Sequence, residues 1–254
     1  RVAWALLFTA GIIILLKRSS PVLTCLRSPK SLALLFSSAV LIALNWGVFI
    51  YAVQHDDVLS TSLGYFITPL VSVALGALFL RERLTRWQKA AVSTATLGIL
   101  FMVYAVGTLP WVSLALAGSF GIYGLVRKQV PTDTLTGLLV ETAMLCPFAL
   151  GYWAYLSITH QSHFVGFSNI GLLILMGLLT SLPLLMFAQA AKKLSLATLG
   201  FLGYIAPTGH FFLAFFYFKE PLALDQLIAF MIIWVALFLF SFGSFSRKET
   251  KKVI

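Results

Sequence analysis

The sequence predicts an all-α polytopic membrane protein made of two related halves, and three observations lead to that prediction. The 254 residues are 60% hydrophobic and only 10% charged, whereas soluble domains carry about 25% charged residues. The apolar residues form long runs that are separated by short polar breaks. In addition, a segment of the first half recurs in the second half with the same spacing of proline, glutamate and glutamine.

The apolar runs fit membrane-spanning helices, because a helix needs about 20 residues to cross the hydrocarbon core of a bilayer. They lack the alternation of apolar and polar residues that is typical of transmembrane β-strands. Several runs contain proline or glycine inside them. In chain order, the sequence predicts helical spans at 2–16, 31–53, 58–80, 86–105, 109–126, 134–156, 169–190, 195–218 and 223–243.

Basic residues fall in alternate connections between these spans, with Arg1 and Lys219 as the two exceptions. Because cytoplasmic loops of membrane proteins are enriched in Lys and Arg, that side and the C-terminus are predicted to be cytoplasmic. The formal net charge of +10 therefore does not indicate nucleic-acid binding. The residues concerned are Lys17, Arg18, Arg27, Lys30, Arg81, Arg83, Arg86, Lys89, Arg127, Lys128, Lys192, Lys193, Arg247, Lys248, Lys251 and Lys252.

An internal repeat relates FITPLVSVALGALFLRERLTRWQ, which starts at residue 66, to YIAPTGHFFLAFFYFKEPLALDQ, which starts at residue 204. Pro69, Glu82 and Gln88 correspond to Pro207, Glu220 and Gln226, always with an offset of 138. Subtracting that offset from the last four predicted spans reproduces the first four. The span at 109–126 has no counterpart in the first half.

Two half-repeats are therefore predicted, at 1–105 and 106–254, and the first is expected to lack the first of its five helices. An odd number of helices in each half gives the halves opposite orientations in the membrane. Inverted repeats with interrupted helices are typical of secondary transporters, in which one half moves against the other around a central site. Gene duplication also produces channels and membrane enzymes, so these remain alternatives.

Several longer motifs resemble the RarD-type permeases of the EamA branch of the drug/metabolite transporter superfamily. They are NWGVFIYAVQH, SLGYFITPLVSVALGALFLRERL, LPWVSLALAGSFGIYGLVRK, GLLVETAMLCP and LSLATLGFLGYIAPT. The resemblance runs from Arg1 to about Ser241. It implies a ten-helix 5+5 inverted-repeat fold in a bacterial inner membrane, with transport of metabolites, amino acids or drugs. A His-Arg pair opens the second helix in that family, and Arg1 is the part of it found here.

Pro69 and Pro207 lie inside predicted spans and are equivalent in the repeat. Proline removes a backbone hydrogen bond and clashes with the preceding turn, so a helix kinks or opens there. The two residues are candidates for hinges that line a central cavity, and fixed packing kinks are the alternative. Stripes of small residues at Thr68, Ser72 and Gly76 and at Ser113, Ala117, Gly121 and Gly124 predict close helix packing.

A buried amide in a membrane protein must find a hydrogen-bond partner, which makes Asn45 a candidate site residue. Asn45 is expected to bond either a neighbouring helix or substrate, and substrate is favoured because Trp46, Tyr65 and Tyr204 are placed to share a cavity with it. His210, three residues after Pro207, is either a proton carrier or a packing residue. Glu82 and Glu220 are expected to form interfacial salt bridges.

Arg1 and Glu141 are predicted to be the most deeply placed charges, within two residues of equivalence under the repeat. A charge at that depth is costly, so each should face the helix bundle or water. The hypothesis is that Glu141 titrates or binds a cationic group while Arg1 holds an anionic one, as a zwitterionic metabolite requires. The alternative is that each charge is paired locally or snorkels to its own membrane interface.

No catalytic motif, metal-ligand spacing or phosphate-binding glycine loop is present in the sequence, so an enzyme, a cofactor and a resident metal are not predicted. The prediction is a permease that moves a small organic molecule by alternating access, with ion coupling. A channel is the nearest alternative, followed by a membrane-embedded enzyme or a sensory subunit. The partners expected are a small-molecule substrate and membrane lipid, without nucleic acid, and the sequence leaves open whether the protein forms a homodimer.

Overall fold

The protein is described by a computed structural model over residues 2–17, 19–55, 57–106, 111–159, 167–212, 216–217 and 224–250. Its α-helices account for nearly all of this part of the chain. They are α1 (Val2–Leu15), α2 (Ser19–Leu26), α3 (Pro29–Gln54), α4 (Val58–Phe79), α5 (Arg86–Val106), α6 (Trp111–Gln129), α7 (Thr134–Ile158), α8 (Phe167–Lys193), α9 (Leu196–Gly203), α10 (Ile205–Phe212) and α11 (Leu224–Thr250).

Each predicted span corresponds to one helix, except that the span at 195–218 corresponds to both α9 and α10. The short helix α2 lies where the sequence analysis placed a connection, and that part of the prediction was wrong. Pro21 is in the first turn of α2, where a missing N–H leaves no helical hydrogen bond unmade. Helices α6 and α8 also end three residues later than predicted, at Gln129 and Lys193, which places basic residues inside their last turns.

The break between α9 and α10 at Tyr204 has a local cause. Pro207 has no N–H to donate to Gly203, and its ring clashes with that carbonyl, so a continuous helix is disfavoured there. The chain closes α9 with a hydrogen bond of 3.2 Å from Tyr204 N–H to the carbonyl oxygen of Phe201, and Pro207 lies in the first turn of α10. Pro69, in contrast, lies inside the uninterrupted helix α4.

The chain divides into two compact units, each of which combines residues from both predicted half-repeats. The first unit contains Arg1–Ala43 and Val126–Lys193, and the second contains Leu44–Leu125 and Leu194–Ile254. The border between the units falls within α3 and α6. The predicted half-repeats at 1–105 and 106–254 are defined by sequence similarity, whereas these units are defined by packing. The half-repeats therefore remain a prediction.

In the first unit, α1 packs against α7 and α8. A Cβ atom on Gly177 of α8 would lie 2.4 Å from the Cβ of Trp4, so the absence of a side chain there allows close approach. A small apolar core joins α2, α3 and α7 with the connection that precedes α7. Its buried members are Cys25, Leu35, Val130 and Val140.

In the second unit, α5 packs along α11 and α4 packs along α9. The Phe201 and Phe240 rings stack with centroids 3.9 Å apart. Small residues permit these contacts, since a Cβ atom on Gly98 would lie 3.0 Å from Ile232. The buried core is Leu63, Phe66, Val73, Ala91, Ala95, Ile99, Met102, Ala197, Phe201, Tyr204, Ala229, Ile233, Ala236 and Phe240.

Helix boundaries agree with the predicted repeat. Adding 138 to the first residue of α4, Val58, gives 196, which is the first residue of α9. The helix caps also correspond: Asp57 accepts a hydrogen bond from Ser60 N–H at 3.3 Å, and Ser195 accepts one from Thr198 N–H at 3.1 Å. Both pairs have the offset of 138.

The protein is an all-α polytopic membrane protein. Four described helical stretches are long and apolar enough to cross a membrane, namely Pro29–Gln54, Ser60–Phe79, Thr134–Ile158 and Ile174–Lys193, and shorter apolar helices include Val2–Leu15, Leu196–Gly209 and Leu227–Gly243. Many large apolar side chains are exposed, among them Leu15, Tyr104 and Ile158. Such exposure is unfavourable in water but not against lipid.

Candidate functional site

Arg127 and Glu141 are the charged side chains that are buried within the described part of the chain, each with 1% of the residue exposed. Arg127 Nη1 and Glu141 Oε2 are 3.5 Å apart, so they form an ion pair that is removed from water. Removing two charges from water commonly costs more free energy than their attraction returns, so stability alone explains such a pair poorly. These two residues are called the buried pair below.

The connection between α6 and α7 brings the two charges together. Arg127 lies in the last turn of α6, and Asp133 starts α7 by accepting a hydrogen bond from Thr136 N–H at 3.0 Å. Arg127 Nη2 donates to the carbonyl oxygen of Thr134 at 3.4 Å. Glu141 is two turns further along α7, so the long arginine side chain spans the distance between the helix start and the carboxylate.

Gly137 provides the space for the guanidinium. A Cβ atom at this position would lie 2.7 Å from Arg127 Nη1 and 3.2 Å from Nη2. Thr134, Gly137 and Glu141 are three and four residues apart and therefore share one face of α7. The guanidinium thus lies against the α7 backbone, between the first turn of the helix and Glu141.

The end of α8 is tied to the same region. Lys128 donates to the carbonyl oxygen of Ala191 at 3.1 Å, and Lys192 donates to the carbonyl oxygen of Thr132. The Thr134 hydroxyl donates to the side-chain oxygen of Gln189 at 3.2 Å. These bonds hold the ends of α6 and α8 and the start of α7 together around the buried pair.

The buried pair contains one acidic and one basic group, each of which can exchange an ion. A carboxylate can take up a proton or a cation, and a guanidinium can bind a carboxylate or phosphate through parallel N–H groups. Among the described residues, no three His, Cys, Asp or Glu side chains come together as metal ligands. The site is therefore suited to binding charged groups.

Known proteins share sequence with this chain along nearly its whole length. Protein RarD of Escherichia coli (strain K12) is 40% identical over 256 residues, which cover 99% of this chain and 86% of RarD. The uncharacterized transporter YojE of Bacillus subtilis (strain 168) is 40% identical over 255 residues, with the same coverage of 99% and 86%. The EamA-like transporter family matches residues 1–104. This chain belongs to the EamA-like transporter family.

Within the EamA family, the chain is a RarD-type permease, as the motifs in its sequence predicted. A solved crystal structure with 20% sequence identity shares the fold, with a TM-score of 0.64 over 94% of this chain and 85% of the other. The EamA-family relatives named as transporters establish that the protein is a membrane transporter.

In this EamA-family chain, Glu141 is paired locally, which was the alternative stated for it, and its partner Arg127 was not predicted. Arg1, the expected counterpart of Glu141, lies outside the described residues. Arg127 was assigned to a cytoplasmic connection, because the apolar run before it ends at Val126. The helix continues to Gln129, and the guanidinium of Arg127 is buried against the first turns of α7. Extending the predicted helix α6 by one turn, to Gln129, would have placed Arg127 inside it.

Asn45 bonds a neighbouring helix, which was the less favoured of its two expected roles. Its amide donates to the carbonyl oxygen of Leu116 at 3.0 Å and to the Ser119 hydroxyl at 2.9 Å. It therefore fastens α3 to α6 within the second unit. Trp46 is partly buried, and Tyr65 is 46% exposed, with its ring 6.5 Å from that of Phe49.

Tyr204 is fully buried and donates a hydrogen bond of 3.1 Å to the carbonyl oxygen of Phe66. The hydroxyl thus bonds the α4 backbone, and the ring packs edge-on against Phe201. Pro69 and Pro207 are both buried, and a Cβ atom on Gly200 would lie 2.8 Å from the Pro69 carbonyl oxygen. The backbone of His210 belongs to α10, and its side chain lies outside the described residues.

Close packing accounts for the stripes of small residues, as predicted. The Ser113 hydroxyl donates to the carbonyl oxygen of Ser60 at 2.6 Å. A Cβ atom on Gly121 would lie 2.7 Å from the Val71 side chain, and one on Gly76 would lie 3.1 Å from Leu196. These small residues therefore allow α4 to approach both α6 and α9.

Proposed function

We propose that the protein is a secondary transporter that moves a small organic metabolite or drug across the bacterial inner membrane by alternating access. The proposal refines the established class of membrane transporter. It rests chiefly on one observation, the hydrogen bond from Tyr204 to Phe66. These residues are 138 positions apart, the offset of the internal repeat.

Contact between equivalent residues is what a two-fold axis produces, because residues on the axis meet their own copies. In the second unit, helix α5 also packs against α11, its equivalent in the repeat, and α4 packs against its equivalent α9. Two similar halves around an axis can exchange conformations, so that a central site opens first to one side and then to the other. The interruption at Tyr204 between α9 and α10 supports this proposal, since broken helices surround such sites in transporters.

Energy is proposed to come from an ion gradient. The 254 residues contain no phosphate-binding loop of the Walker type, and the buried pair includes a carboxylate that can exchange an ion. The side carrying the basic connections, including the C-terminus, is proposed to be cytoplasmic, because positive residues are retained there during insertion.

A transport screen tests this function. The full-length protein is reconstituted into proteoliposomes on a solid-supported membrane, and currents are recorded for carboxylates, amines, amino acids and chloramphenicol. Chloramphenicol is included because a 31% identical relative is named chloramphenicol-sensitive protein RarD. We expect currents that saturate with substrate, respond to an imposed ion gradient and show exchange when counter-substrate is loaded. Non-saturating flux without exchange would identify a channel and overturn the proposal.

A further inference from the structure

We propose that the buried pair is a proton-switched binding site for the carboxylate group of an organic anion. The inference rests on the transporter proposed above and names its substrate class and coupling ion. In the empty site, ionised Glu141 neutralises Arg127. When Glu141 takes up a proton, the substrate carboxylate replaces it as the partner of Arg127.

The guanidinium of Arg127 has more hydrogen-bond donors than it uses. Arginine has five N–H donors. Nη2 donates to Thr134 over 3.4 Å and Nη1 faces Glu141 at 3.5 Å, both long contacts. Within the described part of the chain, Nε has no hydrogen-bond partner although Arg127 is 1% exposed. Arg127 thus retains donors for another acceptor, and a carboxylate matches their planar arrangement.

The side chains around Glu141 also determine which kind of ligand the site favours. The elements around Glu141 carry more basic than acidic side chains, which favours an anion over a second cation. Helix α1, which packs on α7, contributes no titratable group over Val2–Leu15. The titratable and charged groups on the other elements are Cys25 on α2, Lys30 and Tyr51 on α3, Tyr123, Arg127 and Lys128 on α6, Asp133 before α7, and Lys192 and Lys193 on α8.

Charge balance then couples the proton to the anion. The empty site, with Arg127 and ionised Glu141, has no net charge. Adding only a proton or only a carboxylate leaves one uncompensated buried charge, which is strongly unfavourable. Adding both restores neutrality, so the site takes them up together in a ratio of one to one.

The rival explanation is a structural ion pair that only holds α6 against α7. Breaking a structural ion pair lowers the stability of the protein. A structural ion pair does not, however, bind a carboxylate in preference to an uncharged ligand. Ligand charge and pH are therefore the readouts that separate the two explanations.

The test uses pairs of probes that differ in charge and little in shape: benzoate with benzamide, and acetate with acetamide. Their binding to the purified full-length protein is measured by isothermal titration calorimetry at about pH 5.5 and about pH 8, where both carboxylates are ionised. For the native protein we expect at least one carboxylate to bind about tenfold more tightly at the lower pH, within the usual range of coupling between sites. The amide of that pair should show no such change.

Glu141→Gln should bind the same carboxylate equally well at both pH values, because its side chain is permanently uncharged. The double variant Arg127→Gln, Glu141→Gln removes both charges, so it leaves no lone buried ion and keeps the test open if a single variant misfolds. It should lose the preference for carboxylate over amide. Thr142→Val is the matched control, since Thr142 is 3% exposed, adjoins Glu141 and bonds its own helix.

Equal binding of carboxylates and amides to the native protein, or an unchanged preference in the double variant, would overturn the inference. Its failure is distinguishable from failure of the proposed function. A native protein that transports a substrate while Glu141→Gln leaves the pH dependence unaltered disproves only the proton-switched site. Non-saturating flux without exchange in the screen disproves the alternating-access mechanism, and the binding measurements remain interpretable.

Discussion

Glu82 accepts a hydrogen bond of 2.7 Å from the backbone N–H of Leu196, the first residue of α9. Its second carboxylate oxygen accepts one of 3.1 Å from Ala197 N–H. The first N–H groups of a helix have no partner inside the helix, and that end carries partial positive charge. Glu82, which follows α4 in the chain, therefore caps the start of α9. The sequence analysis expected an interfacial salt bridge for Glu82 and did not predict this cap.

Replacing Glu82 by glutamine should destabilise the protein by about 1–3 kcal/mol, because hydrogen bonds to a charged acceptor are stronger than those to an amide. The midpoint of thermal unfolding in detergent should fall, and the amides of Leu196 and Ala197 should exchange hydrogen faster. Arg83→Gln, at an exposed neighbouring position, is the control. Equal midpoints for the two variants would show that the cap contributes nothing.

Tyr204→Phe should cost about 0.5–1.5 kcal/mol of stability, the usual net contribution of one hydrogen bond. The change removes the hydroxyl that bonds Phe66 and leaves the buried ring in place. Tyr65→Phe is matched in chemistry but alters a residue that is 46% exposed, so its unfolding midpoint should equal that of the native protein. A larger loss in Tyr65→Phe than in Tyr204→Phe would contradict the contact.

Gly200→Ala should disturb the packing of α9 against α4. The added methyl group would lie 2.8 Å from the carbonyl oxygen of Pro69, and a backbone atom cannot rotate away, so we expect a loss of about 1–3 kcal/mol. In Gly209→Ala the new methyl group meets no atom of the described residues within 4 Å. That control should unfold at the native temperature or slightly above it, because alanine favours helix.

Gly137→Ala should displace the Arg127 guanidinium while changing the free energy of unfolding only slightly. The methyl group would overlap Arg127 Nη1, but an arginine terminus can move, so the loss of stability should be smaller than in Gly200→Ala. The displaced guanidinium should change the pH dependence of substrate transport, measured in proteoliposomes. Gly151→Ala lies in the same helix, and within the described part of the chain no atom lies within 4 Å of its new methyl group. This variant should leave that dependence as in the native protein.

Sequence reasoning located most of the helices because helix formation depends on local apolar runs. It also located the deep carboxylate Glu141, since a lone charge in such a run is unusual. It failed where a neighbouring helix changes the outcome. The last turn of α6 has the composition of a polar connection, yet Arg127 is buried against α7. The short helix α2 was missed because its polar residues resemble a loop, although Cys25 is buried in the core of the first unit.

By itself, the sequence determined the membrane class, most of the helices and the repeat of 138 residues, because each depends on composition or spacing along the chain, and its motifs identified the family. Tertiary structure alone decided which charges and polar groups meet. Arg127 reaches Glu141 around a turn, Asn45 bonds a helix 71 residues away, and Glu82 caps one 114 residues away. Buried polar groups must find partners, and the choice of partner depends on which helix faces pack together, which spacing along one chain does not specify.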